Sequence, residues 1–162
     1  MNIVVLGSGG REHAICWALA RSPRCSTLYA APGNGGTAQV AENVSGLDIT
    51  DGNALVGFCR DHDIDMVVIG PEAPLVAGMA DVLRQAGVLV FGPSAQGAQL
   101  EGSKTYSKRF MQDNNIPTAA YGTFTDAASA EQYVRDMGAP IVVKADGLAA
   151  GKGVIVAGEV ET

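Results

Sequence analysis

The sequence predicts an α/β fold: a doubly wound, parallel-sheet domain of Rossmann-like type, followed by a shorter segment of different texture. Three observations predict it. Apolar runs that read as buried strands recur at 3–6, 27–31, 65–69 and 88–91. Residues at helical spacing fill the stretches between them, and strands alternating with helices make parallel βαβ units. Finally, the runs end in loops rich in glycine and proline, at 7–10, 32–36, 70–74 and 92–93. Loops at the carboxyl ends of strands are where such folds bind ligands.

Taken in order, Ile3 to Leu6 is a strand that runs into Gly7-Ser8-Gly9-Gly10, and Ala14, Ile15, Ala18 and Leu19 then mark a helix. Thr27 to Ala31 is the second strand and leads to Pro32-Gly33-Asn34-Gly35-Gly36. Asp51 caps a helix carrying Leu55, Phe58 and Cys59. Asp65 to Ile69 enters a loop, Gly70-Pro71-Glu72-Ala73-Pro74, and one helix follows through Val76, Met79, Ala80 and Leu83, with Gly87 at its C-cap. Val88 to Phe91 completes the sheet. Beyond Pro93 the expected order is a linker near 95–102 and a helix over Ser103 to Asn114. A short strand at Tyr121 to Phe124 follows, then a helix from Thr125 or Asp126 to near Gly138 and a hairpin. The expected domains are therefore 1–100 and 101–162.

Composition bounds the function. With 47% apolar and 17% charged residues, the 162-residue chain can bury a core, which disordered chains cannot. A formal charge of -6 opposes a nucleic-acid binder. The four lysines, Lys104, Lys108, Lys144 and Lys152, all fall after residue 103, so lysine chemistry concentrates there. Cys16, Cys25 and Cys59 match no metal or disulfide spacing, and a reducing cytoplasm is the expected location. The start MNIVVLGSGG lacks the basic residues and long apolar run of a signal peptide, and no stretch has membrane-span length.

The stretch Ile141–Val156, IVVKADGLAAGKGVIV, carries the strongest chemical signal. Two β-branched runs flank Gly147, Gly151 and Gly153, with Lys144 and Lys152 alongside. Glycines let backbone N–H groups approach an anion, and ammonium groups add charge. The spacing is not that of a Walker P-loop, and a strand rather than a helix follows. It reads as a flap over phosphates, without help from a helix dipole. A glycine-rich hairpin with no ligand is the plain alternative.

Gly7, Gly9 and Gly10 with Arg11 first look like a dinucleotide fingerprint. However, the third glycine position holds Glu12, and Ala30 and Ala31 stand where a ribose-binding acid belongs. A helix N-terminus with glycines and an arginine suits a sugar phosphate better; a bare tight turn is the alternative. His13 reads equally as a capping, packing or catalytic histidine, and His62 as a solvated helix end. Glu72 offers a carboxylate to an amine or a sugar hydroxyl on a loop stiffened by prolines, or is an ordinary surface acid. Lys104 falls in the first turn of a helix, where the dipole disfavours a cation unless an anion compensates.

GSGGREH, APGNGGT at 31–37, VIGPEAPLV at 68–76, FGPS at 91–94, QLEGSK at 99–104 and VVKADGLAAGKGV at 142–154 together resemble the phosphoribosylamine–glycine ligase family. These are ATP-grasp, carboxylate–amine ligases of purine biosynthesis. The resemblance implies that glycine and 5-phosphoribosylamine are joined at the expense of ATP, with Mg²⁺, through glycyl phosphate. By the same resemblance, Gly7, Gly9, Gly10, Arg11, Asn34 and Glu72 belong to the phosphoribosylamine side. Lys104, Lys144, Gly147, Gly151, Lys152 and Gly153 belong to the ATP side. The family is longer and places its metal ligands late. The sequence is thus expected to be an N-terminal piece with an incomplete ATP-grasp module, no complete catalytic set, no metal ligands and no turnover of its own. Rivals are another ATP-grasp ligase, which should not combine GREH, PGN and GPEAPL, and a stand-alone sugar-phosphate or nucleotide-binding module. A nicotinamide-dependent oxidoreductase is opposed by Glu12, Ala30 and Ala31.

Overall fold

The computed structural model describes residues 1–149 and 152–159, in two compact units, Met1–Ala98 and Gln99–Thr162. The first unit contains strands β1 (Asn2–Gly7), β2 (Thr27–Pro32), β3 (Glu42–Asn43), β4 (Met66–Ile69) and β5 (Leu89–Phe91). They form one sheet in the order β3-β2-β1-β4-β5, and every pairing is parallel. Val4 lies between Tyr29 and Val67, which fixes the register of the three central strands.

Side chains alternate across a strand, and β1 uses both faces. Val4 and Leu6 join Leu55, Cys59, Val67, Met79, Ala80 and Leu83 in one core beneath α2 (Gly52–Asp61) and α4 (Met79–Gln85). Ile3 and Val5 join Cys16, Leu28, Ala30 and Val68 in the other, beneath α1 (Gly10–Ala20). Burial on both faces explains the unbroken apolar runs in the sequence. Truncating a fully buried residue such as Leu55 or Leu83 to Ala costs about 2–5 kcal/mol.

Four details differ from expectation. Ala14 and Ala18 face outward; the inward stripe of α1 is Glu12, Ile15, Cys16 and Leu19, and the carboxylate at its start has no apolar signature. The single helix expected through Val76 and Leu83 is two, α3 (Glu72–Val76) and α4, because Gly78 adopts φ +85° between them. Glu72 consequently opens a helix instead of sitting on a loop. A polar edge strand, β3, pairs with Tyr29 and Ala30 and lacks any hydrophobic periodicity that would reveal it.

The expected linker is helical: α5 (Ala95–Gly102) carries the chain across the boundary between the units. The second unit holds α6 (Lys104–Asp113), α7 (Ala127–Met137) and the antiparallel strands β6 (Ile141–Lys144) and β7 (Val154–Ala157). Ser103 and Asp126 cap the two helices, their side chains accepting from Tyr106 N–H and Ser129 N–H. The expected strand at Tyr121 to Phe124 is absent. Side chains hold this segment instead of a ladder: Tyr121 donates to Gln112 Oε1 at 2.8 Å, Lys108 donates to Thr118 and Ala119, and Phe124 lies on Tyr133. Among its described residues none is fully buried, and Val143, Ile155 and Val156 are 45%, 66% and 74% exposed. No helix is long and apolar enough to cross a membrane among the described residues.

Candidate functional sites

In the first unit the glycine loops meet at the carboxyl ends of β1, β2 and β4. Gly7 leaves β1 at φ +123°, a conformation that L side chains rarely adopt, and Gly9 caps α1. Glu12, in the first turn, is 3% exposed. Its Oε2 accepts from Gly9 N–H at 2.7 Å, and its Oε1 accepts from Arg11 Nε–H at 2.9 Å. Arg11 also donates through Nη1 to Glu72 Oε1 at 3.0 Å. The bonds to Glu12 and then Glu72 raise the Arg11 pKa. Glu72 is held below the usual carboxylate range, first by its own backbone N–H at the start of α3 and then by Arg11. The predicted residues Gly7, Gly9, Gly10, Arg11 and Glu72 therefore do meet, around an acid that sequence reasoning treated only as a missing glycine. The signal for it was available, since a glutamate three residues after a helix cap characteristically bonds the cap N–H.

Asn34 ties two of these loops together. Its Nδ2 donates to Ser8 O at 2.8 Å and Gly9 O at 3.1 Å, and its Oδ1 accepts from Gly36 N–H and Thr37 N–H. Gly33 takes φ +74°, and its N–H donates to Gly7 O at 3.1 Å. His13 covers Gly36, where an added Cβ would stand 2.5 Å from the ring. Its ring packs against the loop backbone there. His62 ends α2 exposed, stacked on Phe58.

In the second unit a cavity of about 650 Å³ is lined by Lys104, Lys108, Tyr121, Tyr133, Lys144 and Asp146, among others. That volume is in the range of small-molecule sites. Three ammonium groups against one carboxylate make the wall cationic, and the tyrosines offer aromatic faces. The Asp146 carboxylate accepts from Lys104 N–H at 2.6 Å, Gly147 N–H at 2.9 Å, Ser103 Oγ–H at 3.0 Å and Thr105 N–H at 3.3 Å. Desolvation pushes its pKa up, but the donors, led by Gly147 N–H and Thr105 N–H, outweigh it and hold the acid at about 2. Lys104 Nζ donates to Gly147 O at 2.8 Å. The flap is thus anchored on the N-terminus of α6 through its own carboxylate, while a strand, as expected, follows the glycine loop.

Farther along the flap, Gly147 and Gly153 take φ +88° and +67°, Lys152 N–H donates to Ala149 O, and Ala145 N–H to Gly153 O. Lys152 is exposed, and Gly151 lies outside the described residues. No cluster of three or more His, Cys, Asp or Glu side chains that would hold a metal occurs among the described residues. The one acid on the cavity wall is occupied with the start of α6, so this donor set does not fit Mg²⁺.

Two family models match the chain: phosphoribosylglycinamide synthetase, N domain, over residues 1–101, and the ATP-grasp (A) domain of the same synthetase over 102–162. The phosphoribosylamine–glycine ligase of Mesorhizobium japonicum is 60% identical over 157 residues, covering 97% of this chain. That of Vibrio cholerae is 56% identical over 159 residues. The chain spans 37% of the length of either relative. Among solved structures, phosphoribosylamine–glycine ligase from Thermotoga maritima superimposes with a TM-score of 0.74 at 34% identity, over 98% of this chain and 36% of that one. The biotin carboxylase domain of Hydrogenobacter thermophilus 2-oxoglutarate carboxylase reaches a TM-score of 0.73 at 16% identity, over 96% of this chain and 37% of that one, which is a likeness of fold alone.

Proposed function

The chain belongs to the phosphoribosylglycinamide synthetase family, and from that membership we propose that it supplies the phosphoribosylamine side and the opening of the ATP side of a cytoplasmic ATP-dependent carboxylate–amine ligase. In this reading residues 1–100 face 5-phosphoribosylamine and 101–162 begin the ATP-grasp module. Glycine carboxylate oxygen attacks the γ-phosphorus of ATP, and ADP leaves. The amine of phosphoribosylamine then attacks the acyl carbon of glycyl phosphate, and inorganic phosphate leaves, giving glycinamide ribonucleotide.

The observation that carries the ATP half is the convergence of Lys104, Lys108 and Lys144 on one cavity with aromatic faces. Phosphoryl transfer asks for alignment and charge neutralisation more than for covalent help from the protein. Lys104 and Lys144 would neutralise phosphate oxygens, while Gly147, Gly151 and Gly153 let the flap backbone approach them and Lys152 adds charge. On the sugar-phosphate side, Gly7, Gly9, Gly10 and Arg11 would take the phosphate. Glu72 would take the amine or a ribose hydroxyl, and Asn34 holds the loops in register.

Two measurements on the 162-residue chain test this. Calorimetry should show ribose 5-phosphate binding more tightly than NAD; equal affinity or a preference for NAD would remove the sugar-phosphate assignment. On adding ATP, amide resonances of Lys104, Lys144 and Lys152 should move together; a response confined to the first unit would remove the ATP assignment. Without a cluster to hold a phosphate-bridging metal among its described residues, the chain is proposed not to release ADP above background when all substrates and Mg²⁺ are supplied.

A further inference from the structure

We infer that Glu12 is a positioning residue for the sugar-phosphate site, its buried carboxylate aiming both the Gly9 N–H and the Arg11 guanidinium. The inference rests on the assignment of Gly7–Arg11 to a sugar phosphate. A glutamate is seldom fully buried unless paired, and both oxygens of this one are in use, Oε2 on Gly9 N–H and Oε1 on Arg11 Nε–H. Three glycines from two loops make room for it. A Cβ on Gly7 would stand 2.7 Å from Glu12 Cγ, one on Gly9 2.8 Å from Oε2, and one on Gly70 would overlap Oε1. An acid that merely capped α1 would need the Gly9 bond alone; the oxygen that Gly70 leaves room for is Oε1, the one that holds Arg11.

What the burial adds is control of Arg11. A guanidinium presents five donors in a rigid fork. Glu12 takes Nε–H and Glu72 takes one Nη1–H, which fixes the plane of the fork. The other three N–H groups meet no acceptor among the described residues, and the side chain is 54% exposed. They are held in one direction before any ligand arrives, so less ordering entropy is lost on binding. The two carboxylates also outnumber the one guanidinium, so the cluster around Arg11 carries no net positive charge. Its grip on a phosphate then depends on direction, which makes Glu12 count for more than a structural cap would.

A double-mutant cycle on the chain separates the two roles. Glu12→Gln keeps the volume and one acceptor for Gly9 N–H, but its amide nitrogen faces Arg11 Nε–H donor to donor. Ribose 5-phosphate affinity measured by calorimetry should fall about tenfold in Glu12→Gln. Arg11→Ala should lose at least as much, and the double variant no more than Arg11→Ala. Additive losses, or unchanged affinity in Glu12→Gln, would overturn the inference. If the wild type does not bind ribose 5-phosphate, the site assignment fails by itself, and a ligand-free readout still judges Glu12. The Arg11 Nε–H resonance should be protected from exchange in the wild type and lose protection in Glu12→Gln while Gly9 N–H stays protected. No change at Arg11 overturns the inference. Should Glu12→Gln fail to fold, Glu12→Asp, too short to hold both partners at once, serves the same comparisons.

Discussion

The carboxylate of Asp146 accepts from the backbone N–H of Lys104 at 2.6 Å, so an acid from the flap closes the N-terminus of α6. The negative charge offsets the unfavourable placement of a lysine in a first helical turn. Lys104 returns the contact through Nζ to Gly147 O. The base of the flap and the first cationic group of the cavity are one hydrogen-bonded unit.

Asp146 should titrate with a midpoint near 2 in the folded chain, below its ordinary 3.8. A carboxylate whose folded pKa is depressed contributes stability above its unfolded pKa and loses it as pH falls through the folded value. The anchoring of the flap should therefore weaken between about pH 4 and pH 2 and be unaffected above that window. Carbon-13 NMR of the Asp146 carboxyl reads the midpoint directly. A midpoint at or above the ordinary value would show that the donors at α6 are not holding it.

Gly70→Ala should destabilise the first unit by about 1–3 kcal/mol, because its Cβ overlaps Glu12 Oε1, which cannot leave without abandoning Arg11. Urea unfolding checks this. The loss should shrink in a Glu12→Ala background, where the obstacle is gone; equal losses in both backgrounds would mean that the clash is relieved elsewhere.

Asn34→Ala removes four hydrogen bonds, two to the loop after β1 and two within the loop after β2. With a net contribution of about 0.5–1.5 kcal/mol per bond, the expected cost is about 2–6 kcal/mol by the same unfolding measurement. A cost below about 0.5 kcal/mol would mean that water replaces Asn34 at both loops.

Burial pushes the thiols of Cys16 and Cys59 up to about 11, Cys16 with a smaller contribution from Glu12. The thiolate is the reacting species, so a thiol reagent at about pH 8 should modify one cysteine per native chain quickly, the half-buried Cys25, and three after denaturation. Rapid modification at Cys16 would mean that α1 opens readily from the sheet.

The parallel sheet was legible because burial on both faces leaves continuous apolar runs, and the caps at Asp51 and Asp126 were legible because capping is a local rule. Legibility ended where the cause was non-local. The inward face of α1 includes a charged residue whose acceptable burial depends on Gly70, far away in sequence. Asp146 gave no local hint that it would reach α6. Gly78 could as well have been a helical glycine, and β3 is two polar residues recruited by an edge. Among the candidate site residues, the glycines and lysines announced themselves by type. Asp146 did not, and Glu12 showed only its capping place three residues after Gly9, not its burial or its hold on Arg11.

The ribbon of β6 and β7 has a material consequence. Among the described residues its two strands pair only with each other, and Val143, Ile155 and Val156 lie largely open to water. Each outer edge offers a row of backbone donors and acceptors flanked by β-branched side chains, the template on which further strands add. Colloidal behaviour of the chain, more than its folding, should then be governed by these eight residues. Lys144 is the lone charge among them and acts as the gatekeeper against stacking. Neutralising it would remove a cation of the cavity wall and, at the same stroke, a brake on cross-β growth.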